Sequence, residues 1–165
     1  MHRGAAQPTL SIRRVCYVMN TPITVILDRK GRNVFAVSST SSVAAAVVEM
    51  NRHRVGSVLI IDHGRLVGIF TERDVLRRVV GVGLDPSQAL VADVMTTGVI
   101  TISSTASIEE TMVLFTERRC RHLPVMDGGQ LVGTISSGDI TRWISEAHRA
   151  EAEHLKNYIS GGLST

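Results

Sequence analysis

The chain is poor in cysteine, in aromatic residues and in lysine, and each shortage excludes something. Cys16 and Cys120 are its only cysteines. They lie far apart with no CxxC or Cys/His spacing, so neither a zinc site nor a disulfide framework is indicated and a reducing compartment fits best. Six aromatic residues, 4% of the chain, are too few to interleave with basic residues as a stacking platform for nucleic acid. No apolar run approaches the roughly 20 residues that span a bilayer, and stretches such as "GSVLII" and "LVGIF" are interrupted within strand length. P-loop, GxGxxG, GxSxG and HExxH patterns are missing, and the six histidines show no ligand spacing. An enzyme is therefore not indicated. Acidic residues are absent from the first 27 positions, where Arg3, Arg13 and Arg14 occur. That is compatible with a transit segment or with the N-terminal arm of a cytoplasmic chain.

What is present is ordinary for a globular protein: 165 residues, 44% hydrophobic and 20% charged, with net charge +3 and a pI near 9.3. Lys30 and Lys156 are the only lysines among 18 basic residues. The dominant arginine presents a planar fork suited to phosphate and carboxylate, in a small ligand or in nucleic acid.

The main signal is internal repetition. "GIFTERDV" at 68–75 is echoed by "GTISSGDI" at 133–140, and a shift of 65 aligns 38–78 with 103–143 without a gap at 13 identities in 41 positions, against roughly three expected by chance. Each copy predicts the same order. A strand, "NVFAV" or "GVITI", precedes a Ser/Thr turn, and Ser42 or Ser107 stands at a helix N-cap, the second with Glu110 completing a capping box. The helical spacing is carried by Val43, Val47 and Met50 in one copy and by Ile108, Met112 and Phe115 in the other. Two strands follow, turning at His63-Gly64 and at Gly128-Gly129. A second helix is expected after each aspartate, with Val75, Leu76, Val79 and Val80 as its apolar face in the first copy and Ile140, Trp143, Ile144 and Ala147 in the second. The fold class is α/β of the α+β kind, as two β-α-β-β-α units. One such unit cannot bury both faces of its sheet, so two should pack through their sheets.

The expected organisation is an N-terminal arm at 1–22, a first unit at 23–80, a linker at 81–91, a second unit at 92–145 and a helical tail at 146–165. Short lead-in helices are expected at Ile23–Lys30 and at 92–96. The tail should extend the last helix or add another, with Ala152, Leu155 and Ile159 on one stripe and Gly161-Gly162 as its stop.

The doubled unit, the blocks "VGSVLIIDHGRLVGIFTERDV" and "CRHLPVMDGGQLVGTISSGDI", and "DVMT" before the second copy resemble the paired cystathionine β-synthase (CBS) domain, or Bateman module. The likeness covers about residues 23–145 and is strongest to stand-alone pairs of bacteria and plant organelles. It implies pseudo-twofold packing around two clefts for adenosine nucleotides, and a homodimer. Asp74 and Asp139 would accept both hydroxyls of a ribose, with Thr71 and Ser136 reaching the α-phosphate. On spacing alone, helix capping accounts for the same two aspartates. The resemblance further implies a main cleft of Asn33, Phe35, Val55, Gly56, Ser57, Arg121, His122, Ser136 and Asp139, with Arg121 and His122 neutralising phosphate. A second cleft, weaker, differently selective or empty, would take Thr71, Arg73, Asp74, Ile100, Cys120 and Arg121. Cys120 reads as a small buried residue or a redox-sensitive thiol.

The function expected is a non-catalytic sensor of AMP, ATP, NAD or another adenosyl ligand, with no catalytic cofactor and no metal. It would act as a soluble homodimer on a separate effector protein, in the cytoplasm or an organellar matrix. The alternative is a scaffold or nucleic-acid-binding protein using the Arg-rich surface.

Overall fold

The computed structural model describes residues 17–161; the N-terminal arm through Cys16, and Gly162 in the tail, lie outside them. The chain divides into two compact units that alternate along the sequence. One, the sheet unit, takes Gly31–Ser103 and His122–Thr134; the other, the helical unit, takes the described parts of 1–30, 104–121 and 135–165.

In the sheet unit, β1 (Ala36–Val37) is followed by α2 (Val43–His53), and Ser42 accepts from the Ala45 amide at 3.2 Å to cap that helix as expected. Then come β2 (Ser57–Asp62) and β3 (Arg65–Thr71), an antiparallel hairpin in which Ser57 faces Thr71, while β1 pairs with β2 in parallel. His63 and Gly64 turn the hairpin with φ of 49° and 75°, the left-handed pair that matches strand twist. The second copy repeats this order: β4 (Ile102–Ser103), β5 (His122–Asp127) and β6 (Gln130–Ser136) form a second three-stranded sheet, with β4 parallel to β5. Val43, Ala46, Met50, Val58, Ile60, Phe70, Val79, Val91 and Val94 bury together as one core. A fully buried side chain such as Phe70 contributes roughly 2–3 kcal/mol by leaving water.

Three expectations are corrected here. Only Ala36–Val37 and Ile102–Ser103 are strand, because only two residues of each first strand reach a parallel partner, and Ile100 stays exposed at 37%. In both copies the helix begins before its aspartate, at Ser137 in the second, and in the first a short α3 (Glu72–Asp74) winds into a π stretch at Val75–Val79 and a 3-10 turn at Val80–Val82. The wider π turn rotates the following side chains out of the α-helical stripe. Val79 is buried, but Leu76 and Val80 stand 65% and 64% exposed.

The helical unit holds α1 (Ile23–Lys30), α5 (Ile108–Glu117) and α6 (Ser137–Gly161), with α6 packed against the other two. Ser107 and Glu110 form the expected capping box on α5: the serine amide donates to Glu110 at 2.8 Å and the glutamate amide to the serine hydroxyl at 3.1 Å. Ile23, Ile26, Leu27, Ile108, Ile135 and Ile140 are buried, whereas Met112 is 39% exposed and leaves the stripe expected of it. The tail continues the last helix without a break to Gly161. Ala152 is exposed on it, and the side chains of Leu155 and Ile159 fall outside the described set.

The lead-in segments cross over. The one before the first copy bonds to second-copy backbone: Ile23 N to Ala106 O and Thr24 N to Ser104 O, both at 2.8 Å, with Ile108 N returning to Thr21 O at 3.0 Å. The one before the second copy, α4 (Val91–Val94), bonds to the first: Val91 N to Ser41 O at 2.9 Å and Ala92 N to Ser39 O at 3.0 Å, with Ile69 and Thr96 exchanging amide bonds.

Candidate functional site

A hydroxyl at a strand end and an aspartate three residues later are the repeated pattern, and the structure shows what that spacing does locally. Thr71 caps α3, and Asp74, at the third helical position, reaches back so that Oδ2 accepts from Thr71 N at 2.9 Å and Thr71 Oγ1 at 2.7 Å. Ser136 and Asp139 repeat this at 2.8 and 2.7 Å, and the Asp139 amide donates to Ser136 Oγ at 3.2 Å. Both pairs are therefore closed capping boxes. A hydroxyl donating to its own aspartate must turn away from it before it can donate to a phosphate.

Beyond that common frame the two carboxylates differ. Asp74 is buried at 7% exposure. Its second oxygen, Oδ1, receives Thr96 Oγ1 at 3.4 Å and faces Arg78 Nε at 3.5 Å, and Arg78 Nη1 is itself spent on the carbonyls of Val94 at 3.0 Å and Met95 at 2.6 Å. Asp139 is half-buried. Lys30 Nζ joins Ser136 on its Oδ2 at 2.8 Å, and Oδ1 has no hydrogen bond among the described residues. Burial pushes the Asp139 carboxyl up, but the Lys30 ammonium and the Ser136 donors outweigh it, and the pKa lies below the ordinary value of 3.8.

Next to Asp139 an open pocket of about 160 Å³ is formed by α1 and α6. Arg29 bridges it, paired with Glu146 at 2.8 Å and lying over the Trp143 ring at 5.5 Å. Arg142 lines the same pocket and has no ion-pair partner among the described residues.

The other expected residues fall as follows. In the sheet unit, Asn33 is exposed; Phe35 stacks on His53 with centroids 4.0 Å apart, and its carbonyl accepts from Leu59 N at 2.9 Å. Val55 is half-buried and Ser57 buried. A Cβ on Gly56 would stand 3.2 Å from His122 Cε1 and 3.3 Å from Glu72 Oε2, so these three meet at the start of β2 and β5. Arg73 is exposed. In the helical unit, Arg121 is exposed and its carbonyl accepts from Ser137 N at 3.0 Å, which fixes the start of α6 beside Ser136 and Asp139. Cys120 is half-buried, with Sγ 4.0 Å from Leu114 O. Arg121, Ser136 and Asp139 thus belong to the helical unit, whereas Asn33, Phe35, Val55, Gly56, Ser57 and His122 belong to the sheet unit.

Lys30, Thr96 and Arg78 escaped the sequence reading. Lys30 ends the first lead-in helix and Thr96 follows the second, so reading the lead-ins along with the repeats would have brought both into view.

Known proteins agree with this architecture. The family profile of the CBS domain matches residues 15–81 and 91–146. A mitochondrial CBS domain-containing protein of Arabidopsis thaliana, CBSX3, is 32% identical over 152 residues, 87% of this chain and 74% of its own. A solved structure described as a putative signal-transduction protein with CBS domains from Burkholderia ambifaria superposes with a TM-score of 0.73 at 36% identity, covering 75% of this chain and 93% of that one. The CBS domain pair of protein MJ0100, solved in complex with 5′-methylthioadenosine and S-adenosyl-L-methionine, has a TM-score of 0.67 at 24% identity over 76% of this chain and 97% of that one, a likeness of fold alone. With two α+β repeats and a family match spanning both, the chain belongs to the CBS-domain family as a tandem pair.

Proposed function

We propose that the protein is a non-catalytic sensor of an adenosine nucleotide, AMP, ATP or NAD, whose stronger site is built on Asp139. One observation carries the reading: Asp139 keeps Oδ1 open beside a cation-lined pocket, whereas both oxygens of Asp74 are occupied by the chain itself. A ribose diol needs a carboxylate with acceptor capacity to spare, and only Asp139 of the pair has it in this conformation. Ser136 and Arg121 would serve the phosphate; Asn33, Phe35, Val55, Gly56, Ser57 and His122 complete the proposed set. The Thr71, Arg73 and Asp74 group, with Ile100, Cys120 and Arg121, is proposed as a weaker or empty second site. MJ0100 with its adenosyl ligands is a precedent for that protein only.

Signalling would pass to a separate effector, with a homodimer as the working form. No helix among the described residues is long and apolar enough to cross a membrane.

The test is calorimetric titration of nucleotide-stripped protein with AMP, beside Asp139→Ala. Saturable binding lost in the variant supports the reading. Silence with AMP, ATP and NAD, together with steeply salt-dependent binding to RNA or DNA, would replace it with the nucleic-acid alternative.

A further inference from the structure

Where the sensor reading places a ribose on Asp139, the surrounding charges say what that ribose must carry. Arg29 and Lys30 close the last turn of α1, where the negative end of the helix dipole favours cations. Both lean over α6 into the pocket beside Asp139. With Arg142, three permanent cations line a space that holds two carboxylates, Asp139 and Glu146. The Arg29 charge is met by Glu146 at 2.8 Å and the Lys30 charge by Asp139 at 2.8 Å. That of Arg142 is unmet among the described residues. An incoming diol hydrogen-bonds to Asp139 without adding negative charge, so the site retains one cation in excess.

We propose that Lys30 is a selectivity residue of this site: it sets the cleft for nucleosides that carry an anionic group on the ribose, and against those that carry a cationic one, such as a sulfonium. This rests on the ribose reading of Asp139. Lys30 is suited to the role because its side chain is only 32% exposed and reaches Asp139 from the end of α1, so a short swing can transfer its ammonium from Oδ2 to a phosphate oxygen. Arg142 supports it from one turn along α6. Charge-assisted bonds of this kind are the strong ones, and a sulfonium in the same place meets two positive groups. The 65-residue counterpart of Lys30 is Met95, so the first copy lacks this device.

The experiment titrates full-length, nucleotide-stripped wild type, Lys30→Met and Arg142→Gln with adenosine, AMP and S-adenosylmethionine at one fixed ionic strength. Trp143, the chain's single tryptophan, lines the pocket and supplies a fluorescence readout beside the calorimetry. Wild type should bind AMP about tenfold or more tighter than adenosine, and S-adenosylmethionine more weakly than adenosine. Lys30→Met should bring the AMP-to-adenosine ratio within about threefold of unity, a ratio that cancels any change in the ribose grip caused by loss of the Asp139 partner, and a far-ultraviolet circular dichroism spectrum matching wild type shows that the variant is folded. Arg142→Gln should lower the ratio partway. An unchanged ratio in Lys30→Met, or S-adenosylmethionine binding wild type as tightly as AMP, overturns the assignment while leaving the adenosine site in place. If wild type binds no adenosine compound at all, the ribose reading falls and the selectivity with it.

Discussion

Arg78 Nε stands 3.5 Å from Asp74 Oδ1, and Arg78 Nη1 donates to the carbonyls of Val94 and Met95 at the end of the lead-in helix α4. In the 65-residue alignment Arg78 corresponds to Trp143 and Met95 to Lys30. The two halves have thus exchanged the source of their cation. In one, the helix after the aspartate supplies it and grips the lead-in; in the other, the lead-in supplies it and the helix offers an aromatic face.

That exchange assigns different jobs to the two aspartates. Asp74→Asn weakens a buried, fully engaged carboxylate and should cost about 1–3 kcal/mol of stability, read as a fall in Tm. Affinity at the Asp139 site should stay within about threefold. Asp139→Asn should do the reverse: a smaller loss of Tm and a loss of AMP binding. If Asp74→Asn removes binding and leaves Tm unmoved, the division of labour is wrong.

The acid response follows from the Lys30–Asp139 pair. A carboxyl whose folded pKa lies below its unfolded value adds stability at every pH above the unfolded value, about 3.9, and loses it as pH falls through the lower, folded one. Lys30→Met removes the strongest lowering partner and leaves burial in place, so the Asp139 carboxyl should titrate at higher pH than in wild type. Carboxyl-carbon NMR titration reads this directly. A titration of Asp139 in Lys30→Met at or below the wild-type value would show that the ammonium does not hold it down.

Helix α5 depends on one hydroxyl. Ser107→Ala removes an acceptor for the Glu110 amide and a donor to the Glu110 carboxylate, and should lower stability by about 1 kcal/mol. Ser107→Asp, which keeps an acceptor at the cap, should restore most of it. Chemical denaturation of the three proteins is the measurement.

Gly68 is a packing requirement. A Cβ there would run into Met95 Sδ, with Thr96 O 3.3 Å away as fixed backbone, so Gly68→Ala should cost roughly 1–3 kcal/mol. The double variant Gly68→Ala with Met95→Ala should not be additive, since the second change clears the space the first one needs. Additive losses in Tm would place the strain elsewhere.

The repeat, both hairpins and both helix caps were legible because each rests on local chemistry: Gly64 and Gly129 where φ is positive, and Ser42 and Ser107 where an orphan amide needs an acceptor. The Thr71/Asp74 and Ser136/Asp139 pairs were legible as pairs, and the closed capping boxes bear out the capping account of their spacing. Leu76 and Val80 misled, since their helical spacing assumes an α-helix and the chain winds a π turn there. Lys30 could not be found by reading within a repeat. Its partner lies 109 positions away, and a long-range ion pair leaves no periodic trace. The same applies to Arg78 and the carbonyls it reaches across 16 and 17 positions.

The crossed lead-ins set the phase at which this chain can be cut. A fragment ending in the loop after Val82 would take the first copy without α4, leaving Ser39 and Ser41 without the amides that now bond them and Ile69 without Thr96. The stretch from Gly31 to Thr96 keeps those bonds together, although it begins and ends out of step with the duplication. The sequence repeat and the stretch that keeps these bonds together are therefore offset by one lead-in.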